Sequence, residues 1–202
     1  MPAVLTEEST PLELAHLTVD QYHRMLETGI LADGEPVELL DGLLVVKDRG
    51  PAMTLSPQHR FVVSLLMRLA PRIEAFGAHL ELQSPITFAP DNEPEPDGMI
   101  VQGRLEDYAE RHPDPQDVSC VIEVAESSLK RDRTTKQRIY ATAGIPQYVI
   151  LNLVDRQIEV REEPRAAAGR YRTARVLGRD ERVSLHLPGR QELEVPGTEL
   201  LP

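Results

Sequence analysis

The chain has 202 residues, 41% of them hydrophobic, a net charge of −11 and a single cysteine. That length suits one domain with a sizeable core, while Cys120 on its own excludes an intramolecular disulfide framework and a thiolate zinc cluster. No apolar run is long enough to span a bilayer. Residues 1–8 lack the basic n-region and apolar core of a secretory signal, so no membrane partner and a cytoplasmic location are expected.

The acidity disfavours a nucleic-acid partner, because phosphate binding rests on Lys and Arg. Its distribution softens that objection. Residues 1–126 carry 8 basic and 23 acidic side chains, whereas residues 127–202 carry 14 basic and 10 acidic ones. A solvated surface explains the asymmetry equally well.

In chain order, residues 1–16 read as a flexible leader and residues 17–202 as a single domain. Thr18 caps a helix over 19–28, which Gly29 stops. Residues 37–40, the turn pair Asp41-Gly42 and residues 43–47 predict a hairpin. Ser56-Pro57 opens a second helix, with Phe61, Val62, Leu65, Leu66, Leu69 and Ile73 at helical spacing; Pro71 should kink it and Gly77 end it. Short extended runs follow at 78–83 and 85–88. A Pro- and acid-rich turn then leads into a strand over 97–101, and residues 103–117 form a surface excursion.

Residues 118–125 are near-continuously apolar, as a central buried strand should be. A helix over 132–143, stopped by Gly144 and Pro146, and a strand over 148–153 complete a βαβ crossover, so the sheet should be mixed. Residues 157–162 can pair back across 154–156. The tail alternates through 171–177, 182–187 and 191–195 as antiparallel strands. The expected class is α/β (α+β): a central mixed sheet flanked by helices, with additional C-terminal antiparallel strands.

Three pieces of this pattern carry chemistry. Glu123 sits in the middle of an apolar strand, where an unpaired charge is costly, so it needs a cation. Alternation puts Val118, Cys120, Ile122 and Val124 on one face and Ser119, Val121, Glu123 and Ala125 on the other. Asp97 opens its strand after Pro96; alone it is a turn-forming residue, and beside Glu123 it reads as a ligand. Asp132, Lys136 and Tyr140 fall at i, i+4, i+8 on one helix face. Lys136 either pairs with Asp132, a candidate N-cap, at the surface or reaches back toward the Glu123 strand. Hard divalent cations take one or two carboxylates plus water and phosphate. A lysine beside such an ion helps hold or polarise the attacking water.

Pro96-Asp97, the run Val121-Ile122-Glu123-Val124-Ala125-Glu126-Ser127, Asp132-x-x-x-Lys136-x-x-x-Tyr140 and Gly144-Ile145-Pro146-Gln147-Tyr148 resemble the Uma-two family, described as putative restriction endonucleases of the PD-(D/E)xK superfamily. The hairpin Val37-Glu38-Leu39-Leu40-Asp41-Gly42 and the helix start Ser56-Pro57-Gln58-His59 match as well. The resemblance covers about residues 17–160.

It implies a restriction-endonuclease-like core, Mg²⁺ (or Mn²⁺) held by Asp97 and Glu123, and Glu38 as an auxiliary acid. Nucleic acid, DNA first, is the implied substrate, and a homodimer would let two sites address two strands. The superfamily lysine would stand at position 125, where this chain has Ala125; Lys136 is the natural substitute. His59, Gln83 and Tyr140 are candidates to support the site from behind the metal ligands. Lys130, Arg131, Arg133 and Arg138 are candidate phosphate contacts that a solvated helix face explains equally well. The competing readings are a non-catalytic nucleic-acid- or protein-binding module that keeps the fold, and a hydrolase of small phosphate esters.

Overall fold

The computed structural model describes residues 13–32, 34–47 and 56–201. Of the leader expected over 1–16, residues 1–12 lie outside the described residues, and 13–16 are exposed and irregular. Among the described residues, no helix is long and apolar enough to cross a membrane.

Local chemistry sets the first elements. Thr18 caps α1 (Val19–Glu27) through a reciprocal box: its hydroxyl accepts from the Gln21 N–H, and the Gln21 side chain accepts from the Thr18 N–H. The expected hairpin forms from β1 (Val37–Leu40) and β2 (Leu43–Val46). Its turn residues Asp41 and Gly42 both take positive φ, 50° and 73°, the twist that suits a two-residue hairpin. A Cβ on Gly42 would lie 2.7 Å from that of His16, so only glycine fits there. Ser56 caps α2 (Pro57–Leu66) by accepting from the His59 N–H. The expected kink falls ahead of Pro71, where a 3₁₀ turn at Met67–Leu69 leads into α3 (Ala70–Glu74). Proline has no N–H to give the preceding turn, so the chain unwinds there and restarts with Pro71 in its first turn.

Six strands form the central sheet in chain order: β3 (Ala78–Glu81), β4 (Gly98–Gln102), β5 (Val118–Ala125), β6 (Gln147–Asn152), β7 (Gln157–Arg165) and β8 (Arg170–Leu177). Only β5 and β6 pair in parallel, so the sheet is mixed as expected. A parallel pair needs a crossover. Here it is α4 (Leu129–Arg131), a π-helical turn at Asp132–Lys136 and α5 (Gln137–Thr142). The tail strands divide: β8 joins the main sheet, while β9 (Arg182–Leu187) and β10 (Gln191–Pro196) form a separate hairpin. Residues 85–88, expected to be extended, form only an isolated bridge between Phe88 and Asn92.

Each sheet face is covered. On one, α2, α3 and the β9–β10 hairpin bury Ile100, Cys120, Ile122, Val124 and Val149. On the other, α5 and Phe88 cover Val121, Ala125, Tyr148 and Ile150. Full burial of an Ile or Leu contributes roughly 1.5–3 kcal/mol, so these two layers hold the sheet. Val118 departs from the simple alternation and packs with Val121 instead of Cys120. The register against β4 skips Ser119, and that bulge turns Val118 to the opposite face.

Across the sheet, Glu123, Ile150 and Glu159 stand side by side on β5, β6 and β7. Burial raises the pKa of Glu159, but hydrogen bonds from Arg133, Arg161 and Asn152 outweigh it and pull the carboxyl from 4.5 to about 2. A carboxylate depressed in the fold contributes stability above its unfolded pKa and loses it as pH falls through the folded value. Glu159→Gln should therefore cost roughly 1–3 kcal/mol near neutrality. The deficit should shrink as pH falls from 4.5 to about 2. Thermal melts of both proteins across that range check it; a deficit independent of pH would refute it.

Candidate active site

The site grows from the ends of β4 and β5. Asp97 immediately precedes β4, which starts at Gly98, one residue later than expected. Because Gly98 pairs with Ile122, Asp97 comes to rest beside the C-terminal half of β5. One of its carboxylate oxygens, Oδ2, accepts the Val124 N–H at 2.8 Å, and the other, Oδ1, pairs with His59 Nε2 at 2.9 Å. Gly98 lets the strand approach closely: a Cβ there would meet Leu66 Cδ1 at 3.2 Å.

Glu123 faces the crossover helix. Its Oε1 accepts from Lys136 Nζ and from the Tyr140 hydroxyl, both at 2.8 Å. Lys136 also lies 3.1 Å from Glu38 Oε2, which accepts the Glu95 N–H at 3.2 Å. The alternative of an exposed Lys136–Asp132 pair is thereby overturned. Both residues are buried, Lys136 to 4% exposure. Asp132 is not the N-cap either. The helix begins at Leu129, and the Ser128 hydroxyl donates to Asp132 Oδ2 at 2.6 Å. The π-helical turn that spans Asp132–Lys136 sets both side chains toward the sheet; such turns recur at functional sites.

Together these groups wall a cavity of about 60 Å³, lined by Glu38, Lys47, His59, Gln83, Glu95, Asp97, Glu123, Ser128, Arg131, Asp132 and Lys136. That is room for about two waters. The sequence-derived residues Asp97, Glu123, Lys136, Glu38, His59 and Gln83 therefore meet at one place. Gln83 donates its backbone N–H to the Asp97 carbonyl at 3.3 Å from a positive-φ position. Tyr140 stands behind Glu123, packed on Phe88 and Tyr148. Cys120 belongs to the opposite face. Of the candidate phosphate contacts, Arg131 lines the cavity. Arg133 serves the Glu159 cluster, and Arg138 pairs with Asp41.

Sequence reasoning missed Asp132, Ser128, Lys47 and Glu95 as cavity residues. The signal for Asp132 was its four-residue spacing from Lys136 with no exposed partner required. For Lys47 and Glu95 the sequence held none.

Burial pushes the Glu123 carboxyl from 4.5 up to about 8, opposed by the Lys136 ammonium and reinforced by Asp132, Asp97 and Glu38. For Lys136, burial acts downward, yet Glu123, Glu38 and Asp132 outweigh it and hold the ammonium above its ordinary value. Burial also raises Asp132 and Tyr140. One charged lysine thus faces more carboxylate than it can neutralise, which favours protonation or a further cation.

Oxygen donors dominate the cavity, the set that a hard divalent ion takes. Among the described residues, Glu123 Oε2 and Glu38 Oε1 accept no hydrogen bond, and those atoms are open to a cation. No trio of His, Cys, Asp or Glu is already arranged as a three-donor metal site among the described residues. Mg²⁺ does not require one, since it keeps several waters and takes one or two carboxylates.

With this geometry in hand, residues 19–196 match the family described as "Uma2: Putative restriction endonuclease". The chain belongs to the Uma2 family. The match extends past residue 160 to include the tail strands, which the motif resemblance left out. Uma2 is thus a nuclease-type family, with nucleic acid as the general class of substrate that its description implies. A crystal structure described as a putative nuclease belonging to DUF820 from Anabaena variabilis shares the fold. Its TM-score is 0.64 at 16% identity, over 91% of this chain and 97% of that one. No curated protein matches the chain.

Proposed function

We propose that this Uma2 protein is a Mg²⁺- or Mn²⁺-dependent endonuclease that hydrolyses phosphodiester bonds of nucleic acid, with DNA as the first candidate. The observation that carries this reading is Lys136: a buried ammonium within 3.1 Å of both Glu123 and Glu38, in the cavity that Asp97 also lines. A merely structural lysine gains little from such a place, because desolvating charges usually offsets their attraction.

In this reading Asp97 and Glu123 hold the metal ion. When bound, the ion would polarise the scissile phosphate and lower the pKa of an attacking water. The Val124 N–H and His59 orient Asp97, and Tyr140 orients Glu123, so neither carboxylate must reorganise. Lys136 orients the water or stabilises charge developing on the phosphate oxygens. Glu38 keeps Lys136 in register and adds a further oxygen donor at the cavity wall. Gln83 shapes the Asp97 end through its backbone. Two chains paired as a homodimer would present two such cavities to the two strands of a duplex.

A second reading, a non-catalytic binding module, is favoured by the net charge of −11. One assay separates them. The wild type should nick or cut at least one of supercoiled, linear or single-stranded DNA or RNA with Mg²⁺ or Mn²⁺, and EDTA should stop it. No cleavage of any of these with either ion would overturn the nuclease reading.

A further inference from the structure

We infer that Lys47 is a substrate-contacting cation at the mouth of the cavity, where its ammonium binds a non-bridging oxygen of a backbone phosphate; this rests on the nucleic-acid reading above. Lys47 immediately follows β2 and lines the cavity, with its side chain 14% exposed. Glu38, Glu95, Asp97, Glu123 and Asp132 put five carboxyl groups on the cavity wall, more negative charge than Lys136 and one divalent ion offset. A cation at the entrance that is free to move therefore favours the approach of a phosphodiester.

Lys136 acts deeper, at the reacting phosphate, and cannot move out to the entrance. Its ammonium is committed to Glu123 and Glu38, and moving it would leave both buried carboxylates without a counter-charge. Lys47 is placed differently. Its ion-pair partner is Glu95, whose side chain is 25% exposed. Both side chains reach the solvent boundary, so Glu95 keeps access to water if a phosphate takes its place on Lys47, whereas the partners of Lys136 do not. Glu95 in turn donates its backbone N–H to Glu38 Oε2 at 3.2 Å. Lys47 therefore stands at the outer end of a connected chain of polar contacts that runs through Glu95 and its backbone N–H to Glu38, Lys136 and Glu123. An ammonium on a four-carbon stem can swing to a phosphate without breaking the inner pairs. The adjacent Val46 carbonyl accepts from Arg131 Nη1 at 3.1 Å, which brings a guanidinium to the same wall.

The test uses the Asp97→Asn protein, so that bound nucleic acid stays intact, and fluorescent single- and double-stranded DNA oligonucleotides titrated at several salt concentrations. Lys47→Gln should weaken binding of all sequences alike and lower the slope of log affinity against log salt by about one phosphate contact. Lys47→Arg should keep the slope. In the otherwise wild-type enzyme, Lys47→Gln should raise KM while kcat stays near its original value, and thermal melts should show both variants folded. A salt slope unchanged by Lys47→Gln, in a protein whose wild type cuts nucleic acid, overturns the role of Lys47 alone. Absence of both binding and cleavage across all substrates overturns the nuclease reading and this role with it.

Discussion

Lys136→Met is expected to abolish metal-dependent cleavage and to destabilise the fold in the same stroke. Proton-transfer or charge-stabilising groups of this kind contribute about 10²–10⁴ in rate. Removing the ammonium also leaves Glu123 and Glu38 buried without a cation, and breaking a buried pair from one side costs roughly 3–5 kcal/mol. A loss of activity in the single variant would therefore be ambiguous. Adding Glu38→Gln removes one of the stranded carboxylates, so the double variant should recover part of the urea midpoint without recovering cleavage. Glu38→Gln alone provides the control, because it keeps Lys136 on Glu123 at 2.8 Å. Should the folded double variant cut as fast as Glu38→Gln, Lys136 is a structural charge and no more.

Asp97→Asn should abolish metal binding while leaving the fold in place. The Asn oxygen can still accept the Val124 N–H, so the contact between β4 and β5 survives. What disappears is a full negative charge toward the cavity and the match to the His59 donor. Wild type titrated with Mg²⁺ or Mn²⁺ should release or absorb heat, and the variant should not. By mass action an ion at about a hundred times its Kd stabilises the wild type by about 2.7 kcal/mol, visible as a rise in melting temperature that the variant lacks. Equal heats, or equal melting shifts, would move the ion to other ligands.

The linear chain determined much of this architecture because the signals are local. Thr18, Ser56, the Asp41-Gly42 pair and Gly77 each act within a turn of the backbone, where a cap or a positive φ has few alternatives. Residues 118–125 were legible as the central strand because six apolar residues among eight, with Glu123 as the one charge, suit burial on both faces. The same break pointed to Glu123, since a charge has no motive there without a partner. The family motifs then linked Asp97, Glu123 and Lys136 before any distance was known.

Tertiary structure decided the rest, because those questions concern pairs far apart in sequence. Which cation serves Glu123 depended on the crossover helix: the π-helical turn at Asp132–Lys136 directs Lys136 inward, and nothing in the local sequence marks that turn. The side taken by Val118 depended on a bulge set by pairing with β4. The parting of β8 from the β9–β10 hairpin depended on which edge lay free, not on strand propensity. The inclusion of Lys47 and Glu95 in the cavity required the β1–β2 hairpin to fold over the loop before β4, a contact 48 residues apart. Strand, cap and turn are encoded where they occur; a site is encoded in the packing that brings them together.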